Sequence, residues 1–331
     1  MTSSRDCATP ARTATSPASW GADPTVNVTV IIAFTANALV ALAKTAAALL
    51  TGSASMVAEA AHSWADTGNE VFLLVADRRS KRAPDQSHPL GYGREAYVWS
   101  MFAALGLFVA GAAVSITHGI QQLVHPGEAS NFGVAYAVLA LAFVLEGVSF
   151  LQAFRQVGRE AEAVDRDLLE HALHTSDPTL RAVFAEDAAA LIGLAIAGTG
   201  VLLHEITGSS VPDAVGSILV GVLLAVVAAV LVDRNRRFLV GMQAPAGILA
   251  AARGRLSAMP GVSSVGYLHM EFVGPHRVYL VASVDLIGDD VESTVADRLR
   301  ALEDELESED VIVEAVLTVS RPGQPPDSHL T

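Results

Sequence analysis

Apolar residues form long, nearly continuous runs along the first three quarters of the chain. Six of these runs are long enough to cross a bilayer as helices, and they cover residues 26–50, 55–77, 96–123, 132–154, 179–203 and 214–231. Short turns join runs one and two, three and four, and five and six, whereas longer charged loops join the others. The pattern predicts an α-helical membrane protein whose first part is a six-transmembrane-helix bundle.

The periodicity changes near residue 244. Two segments are amphipathic and helix-forming, and three others have the alternating or β-branched character of strands. In chain order they are a helix at 246–259, strands at 262–272 and 276–286, a helix at 291–306 and a strand at 311–319. The order predicts a C-terminal cytoplasmic α+β domain of αββαβ, ferredoxin-like form.

These boundaries divide the chain into four predicted parts. They are a disordered N-terminal tail (1–25), the six-helix transmembrane domain (26–238), the cytoplasmic αββαβ domain (239–320) and a disordered C-terminal tail (321–331). Both tails are rich in small and polar residues or Pro, a composition that cannot bury a core.

Composition agrees with a membrane protein and narrows its chemistry. Hydrophobic residues make up 51% of the chain, charged residues 17%, and the mean hydropathy is +0.42. A net charge of −14 argues against nucleic acid as a partner. The single cysteine, Cys7, excludes an intrachain disulfide or a cysteine-rich metal cluster, so any metal must be held by His and carboxylates.

Basic residues are distributed unevenly among the loops. They follow runs two, four and six, whereas the turns after runs one, three and five contain none: Arg78, Arg79, Lys81, Arg82 and Arg94, then Arg155, Arg159 and Arg166, then Arg234, Arg236 and Arg237. Since cytoplasmic loops carry the excess of Lys and Arg, the distribution predicts a multi-pass protein of the cell membrane with both termini in the cytoplasm.

The second run carries His62 and Asp66, four residues apart and therefore on one helix face. Ionisable groups at membrane depth cost about 2.5–3.5 kcal/mol each, so they need a partner or a function. Two interpretations fit: the pair is half of a metal site, or His62 bonds a neighbouring helix while Asp66 neutralises a buried base such as Lys44. Lys44 itself either faces the bundle interior or reaches the interface.

The fifth run carries two further carboxylates, Glu186 and Asp187. Asp187 would supply an oxygen ligand, and Glu186 lies about 100° round the helix, so both cannot point straight at one ion. Carboxylates at depth on two separate runs favour a shared ion over two unrelated buried groups.

Several segments together resemble the cation diffusion facilitator family. They are HSWAD in run two, HPLGYGRE after it, AEDAAALIG in run five, VPDAVGS entering run six, and the αββαβ order at the end. The resemblance covers roughly residues 26–320. It implies an antiporter, usually a homodimer in the lipid bilayer, whose substrates are a divalent metal ion and protons and which needs no cofactor. Zinc leaving the cytoplasm is the usual cargo.

The transport site of that family matches His62, Asp66 and Asp187 in this chain. The family commonly has a further His or Asp one turn before the last carboxylate, where this sequence has Val183. Glu186, Asn69 or water would then complete the shell. His62 would favour zinc over magnesium or calcium, whereas manganese, iron and cobalt stay open.

A second metal site of the family lies in the loop after the second helix. Asp85 and His88 match it, but Tyr92 stands at the third position. The alternative is a turn shaped by Pro89 and nearby glycines, which His88 caps.

Five further histidines are predicted to have ordinary surroundings. His269 and His276 are interpreted as strand residues of the cytoplasmic domain. His118, His125 and His204 are interpreted as interfacial residues near the outer face.

The predicted function is divalent-cation efflux, with zinc/proton antiport across the cytoplasmic membrane. His and carboxylates bind zinc only when deprotonated, so metal and protons compete for one site. The alternative is a non-transporting metal sensor or membrane scaffold. An enzyme is not expected, because HEITG lacks the second His of a zinc-protease motif and the chain has no GxSxG motif.

Overall fold

A computed structural model describes residues 24–127, 130–163 and 167–320 of the chain. Cys7 and nearly all of the two predicted tails lie outside the described residues. The helices are α1 (Pro24–Thr51), α2 (Ala54–Ser80), α3 (Glu95–Gly106), α4 (Val114–Val124), α5 (Phe132–Ala163), α6 (Leu168–His174), α7 (Pro178–Thr207), α8 (Val211–Val240), α9 (Ala246–Ala258) and α10 (Glu292–Glu307). A π-helical segment, Leu107–Ala113, joins α3 to α4, and the strands are β1 (Val262–Gly274), β2 (Arg277–Leu286) and β3 (Ile312–Val319).

Five helical segments in the described part of the chain are long and apolar enough to cross a membrane. They are Phe34–Thr51, Glu95–Val124, Phe132–Glu162, Pro178–Thr207 and Val211–Val240. The 27-residue α2 is outside this group because of its acidic residues. It nevertheless packs against α1, α3, α7 and α8. The prediction of six spans is thus confirmed for five, and the span formed by α2 stays a prediction.

The start of α2 is fixed by a buried carboxylate on another helix. Ser53 caps α2, since its side chain accepts a hydrogen bond from the backbone N–H of Met56. The carboxylate of Asp213, in the first turn of α8, accepts hydrogen bonds from Ser53 Oγ at 2.8 Å, Ala54 N at 2.7 Å and Ser55 N at 3.2 Å. These contacts fasten α2 to α8 at one end of the bundle.

The start of α7 is fixed in a similar way at the opposite end. Asp177 caps α7 by accepting from Thr179 N at 2.8 Å and Leu180 N at 3.2 Å, and Pro178 follows as the first helical residue. One turn on, the fully buried Arg181 donates to Asn235 of α8 at 2.6 Å. The cap and this bond hold the beginning of α7 against α8.

The C-terminal domain is a three-stranded sheet with two helices packed on it. Its elements follow the predicted order αββαβ; β1 and β2 are antiparallel, and β2 and β3 are parallel. Alternate residues of β2 are buried, as the sequence VYLVASVDL predicts. They share one core with Leu256 of α9 and with Leu302 and Leu306 of α10. The ferredoxin-like assignment stays a prediction.

The turn between β1 and β2 attaches this domain to the helix bundle. Arg94, just before α3, forms an ion pair with Glu271 of β1. Gly93 lies so close to the turn that a Cβ on it would come 2.5 Å from the carbonyl oxygen of Val273 and 2.8 Å from the Cα of Gly274. The turn therefore contacts the backbone just before α3, where no side chain fits.

The same turn also reaches the beginning of α7. The backbone N–H of His276 donates to Ser176 Oγ at 3.1 Å, and His276 Nε2 lies 3.7 Å from Asp177 Oδ2. Asp177 is the cap of α7, so the C-terminal domain is joined directly to that helix.

Candidate metal centre

An acidic cavity of about 140 Å³ lies among α1, α2, α5 and α7. This volume is enough for a cation with several waters. Most of the polar side chains that line it come from α2 and α7, and the lining residues are Asn37, Val40, Ser63, Asp66, Asn69, Glu70, Leu73, Leu145, Glu146, Ser149, Val183, Glu186 and Asp187. The predicted residues Asp66, Asn69, Glu186 and Asp187 are thus brought together, with Val183 among them.

Three of the carboxylates in the cavity accept a hydrogen bond from a neighbouring helix. The pairs are Asn69 Nδ2 to Glu186, Ser149 Oγ to Asp187 at 2.7 Å, and Asn37 Nδ2 to Glu70 at 2.5 Å. The donors are a hydroxyl and two amides, so none of them supplies a positive charge. The carboxylates of the cavity therefore depend on neutral partners in these three contacts.

Four buried oxygen atoms on α2 have no hydrogen-bond partner among the residues that the structure describes, and they belong to residues that line this cavity. They are Ser63 Oγ, Asp66 Oδ1, Asn69 Oδ1 and Glu70 Oε2. The spacing of three, three and one residues puts them along one face of the helix. Since buried polar groups are normally paired, such a row of free oxygens indicates a place for a ligand that accepts lone pairs.

His62 lies next to the cavity rather than in its lining. The side chain is buried, its Nε2 is 3.5 Å from Asp66 Oδ2, and neither ring nitrogen makes a hydrogen bond. Over the described residues, no three His, Cys, Asp or Glu side chains are arranged to hold a metal ion. His62, Asp66 and Asp187 are neighbours of one cavity but do not form a closed ligand set.

Lys44 faces the bundle interior and does not reach the interface. Its Nζ donates to Glu59 Oε2 at 3.0 Å, and both side chains are fully buried. Glu146 Oε1 of α5 lies further away, at 3.8 Å. The base is therefore neutralised at contact distance by Glu59, three residues before His62, rather than by Asp66. Sequence reasoning assigned no role to Glu59, Glu70 or Glu146, although each is a carboxylate inside an apolar run.

The loop after α2 uses Asp85 as an internal acceptor. Its carboxylate accepts from Ser87 Oγ at 2.6 Å, from the backbone N–H of Ser87 and of His88 at 2.9 Å each, and from Tyr92 OH at 2.7 Å. The hydrogen bonds from Ser87 and Tyr92 hold the pKa of Asp85 well below its ordinary value. The His88 ring lies 4.1 Å from the ring of Tyr92. This geometry supports the turn interpretation, and a metal role for Asp85 and His88 stays a prediction.

One histidine differs from its predicted surroundings. His276 is not a strand residue: it has a φ of +55° in the turn, and β2 begins at Arg277. His204 is buried within the bundle, with Nδ1 3.8 Å from Asp213 Oδ2 and its ring 5.6 Å from that of Phe132. Its predicted position near the membrane interface stays a prediction.

The other three histidines have looser contacts. His269 on β1 lies 3.8 Å from Glu271 Oε2, in agreement with a strand residue. His125 is exposed just after α4, and His118 is half-buried on that helix. Both agree with an interfacial position.

Comparison with known proteins gives the family. Residues 30–240 match the cation efflux transmembrane domain. Over 259 residues the chain is 34% identical to the mouse (Mus musculus) proton-coupled zinc antiporter SLC30A9, mitochondrial, covering 78% of this chain and 46% of that protein. It is 35% identical over 233 residues to metal tolerance protein C4 of Arabidopsis thaliana, covering 70% of this chain and 51% of that protein.

A bacterial relative is matched over more of its own length. The probable cation efflux system protein Rv2025c of Mycobacterium tuberculosis is 25% identical over 261 residues, which is 78% of this chain and 72% of that protein. By contrast, the chain spans about half the length of the mouse and plant relatives. Most of these relatives are named as transport or efflux proteins, in agreement with the prediction that this chain is not an enzyme. The domain match and these identities show that the chain is a member of the cation diffusion facilitator (cation efflux) family.

Proposed function

We propose that the chain is a divalent-cation/proton antiporter that moves zinc out of the cytoplasm. The observation that carries the proposal is the row of four unpartnered oxygens on α2, which lines an acidic cavity within the cation efflux domain. A divalent cation would recover the interactions that these oxygens lack. The mouse relative is named a proton-coupled zinc antiporter, which supports zinc and protons as the substrates.

The proposed cargo ligands are Asp66 from α2 and Asp187 from α7. Asn69 and Glu186, which are hydrogen-bonded to each other, extend the same oxygen-rich surface. His62, 3.5 Å from Asp66, gives the site its preference for zinc once it turns toward the cavity. Manganese, iron and cobalt are the alternative cargoes, since oxygen ligands suit them as well.

Exchange with protons follows from the chemistry of these ligands. Each carboxylate binds a cation only when it is deprotonated, so a proton that arrives from outside displaces the metal. Neutral donors such as Ser149 hold the carboxylates in place through hydrogen bonds. An inward proton gradient would then drive zinc outward.

The proposed topology has α2 as the sixth span, with both chain ends in the cytoplasm. The loops that carry Lys and Arg lie on one side of the bundle, which supports this orientation. The protein is proposed to be a multi-pass component of the cell membrane and to work as a homodimer in the lipid bilayer.

Zinc flux into proteoliposomes under an imposed pH gradient tests the proposal. Asp66→Asn and Asp187→Asn keep the side-chain volume and should each lower the flux by at least about 10- to 100-fold, the range already seen when a partner that orients a metal ligand is lost. Asp289→Asn, at an exposed position outside the bundle, is the control and should leave the flux unchanged. If the folded native protein moved neither zinc nor manganese, iron or cobalt, the proposal would be wrong and a metal sensor or scaffold would replace it.

A further inference from the structure

Helix α5 brings one carboxylate, Glu146, to the cavity. Its side chain is 19% exposed, so it faces the cavity but is not freely solvated. Ser149, three residues further on, lines the same cavity and donates to Asp187. One face of α5 is therefore turned toward the candidate cargo ligands.

Glu146 is not needed to balance the positive charge of Lys44. Lys44 and Glu59 are both fully buried and make a direct hydrogen bond of 3.0 Å, so their charges already balance. Glu146 Oε1 lies 3.8 Å from Lys44 Nζ, beyond hydrogen-bond distance. Glu146 is thus a surplus carboxylate, held by a loose electrostatic contact at the edge of an acidic cavity.

We propose that Glu146 is a cargo ligand, which supplies from α5 the ligand that Val183 does not supply from α7. The inference rests on the proposed transport function. Its independent support is Ser63, a residue only 3% exposed whose Oγ has no partner and which lines the same cavity. Ser63 and Glu146 lie on different helices that face one space, as the ligands of a bound cation do.

Lys44 then acts as a tethered cation that competes with the cargo. It attracts Glu146 from 3.8 Å, and a divalent cation in the cavity would attract the same carboxylate more strongly because it carries twice the charge. This competition weakens cargo binding. It also gives Glu146 a second position, so the ligand is released when the cargo leaves.

Zinc titration calorimetry on the full chain in detergent tests this role. Glu146→Gln should weaken zinc binding by at least about tenfold, the lower range for groups that orient a bound metal. The paired change Lys44→Met with Glu59→Gln removes the competitor without leaving an unpaired charge, and it should tighten zinc binding. Adding Glu146→Gln to that pair should abolish the gain, because the gain acts through Glu146.

Glu162→Gln is the matched control on the same helix, at an exposed position away from the cavity, and it should bind zinc like the native protein. Thermal unfolding of every variant separates folding from binding. If Glu146→Gln bound zinc normally while Asp66→Asn did not, Glu146 would be only a partner of Lys44 and this inference would be wrong, whereas the proposed function would stand. If the native protein bound no divalent cation, both would be wrong.

Discussion

Helix α2 has two buried polar regions, one in which the polar groups are hydrogen-bonded and one in which several of them are not. At its beginning, the carboxylate of Asp213 accepts hydrogen bonds from Ser53 Oγ and from the two following backbone N–H groups. In its middle, Ser63, Asp66 and two further residues each have a buried oxygen without a partner. Both regions are polar, buried and on the same helix.

The difference separates a structural contact from a binding site. A buried polar group without a partner costs about 1–3 kcal/mol, so pairing at the beginning of α2 stabilises the fold. The middle of the helix instead carries an unrecovered cost, which a bound cation would offset. Hydrogen-bond pairing, rather than burial or charge, thus distinguishes the two regions.

The largest expected effect is on the paired region. Asp213→Ala would leave three buried donors without an acceptor, and it should lower the free energy of unfolding by about 3 kcal/mol or more. Thermal unfolding in detergent would measure this loss. The control is Asp233→Ala. Asp233 lies near the other end of α8, the helix that carries Asp213, and its side chain is 40% exposed. If Asp213→Ala lost no more stability than the control, the claim that the hydrogen bonds of Asp213 stabilise the fold would be wrong.

A matched pair of serines on and beside α2 sharpens the contrast. Ser53→Ala removes the cap and a bond to Asp213, so it should cost about 1 kcal/mol of stability and leave zinc affinity unchanged. Ser63→Ala removes an oxygen that has no hydrogen-bond partner in the described part of the chain, so it should leave stability unchanged or raise it, and weaken zinc binding severalfold. Thermal unfolding and zinc titration, each carried out on both variants, measure the change in stability and in zinc affinity for each serine. If both substitutions changed stability and zinc affinity in the same way, the distinction between a structural serine and a binding-site serine would be wrong.

The smallest expected effect concerns a third polar contact, outside the membrane, between His276 and Asp177. The carboxylate of Asp177, 3.7 Å away, raises the pKa of His276 above its ordinary value of 6.5. Burial alone would raise the pKa of Asp177, but the contact with His276 and hydrogen bonds from two backbone N–H groups outweigh burial and lower it. The His276 contribution is therefore complete below about pH 6.5 and is lost as the pH rises through the raised pKa. The Asp177 contribution is lost only when the pH falls through its lowered pKa.

The His276 side chain is 61% exposed, so solvent limits the contact to less than about 1 kcal/mol. Hydrogen exchange at the turn between β1 and β2, corrected for the intrinsic rate, should rise as the pH increases above 6.5. His276→Gln should remove that pH dependence, and His269→Gln on the neighbouring strand should keep it. If His276→Gln behaved like the native protein, the turn would be held by its other contacts alone.

Sequence spacing predicts the part of the candidate site that lies within single helices. His62 and Asp66 are neighbours because they are four residues apart, and Asp187 of another helix lines the same cavity as Asp66. The partners across helices are not predictable in this way. Lys44 pairs with Glu59 and not with Asp66 because of how α1 and α2 pack, which no spacing within one segment expresses.

The fold, too, is predictable from the sequence only where the residue pattern within one segment indicates it. The alternation in VYLVASVDL predicts β2, because a half-buried strand has a period of two. The π-helical segment Leu107–Ala113 has no corresponding signal in its uniformly apolar sequence. By contrast, the membrane span predicted to end at residue 154 continues as a helix to Ala163, as expected for a charged connector of helix-favouring residues.

The contact between Gly93 and the turn at Gly274 has a consequence for how the two domains can vary. Because the contact is between backbones, no choice of side chain can widen or narrow it gradually. A methyl group at position 93 would clash with the backbone at Val273 and Gly274 and push the two domains apart. Position 93 therefore has to be glycine wherever this backbone contact between the C-terminal domain and the bundle is kept.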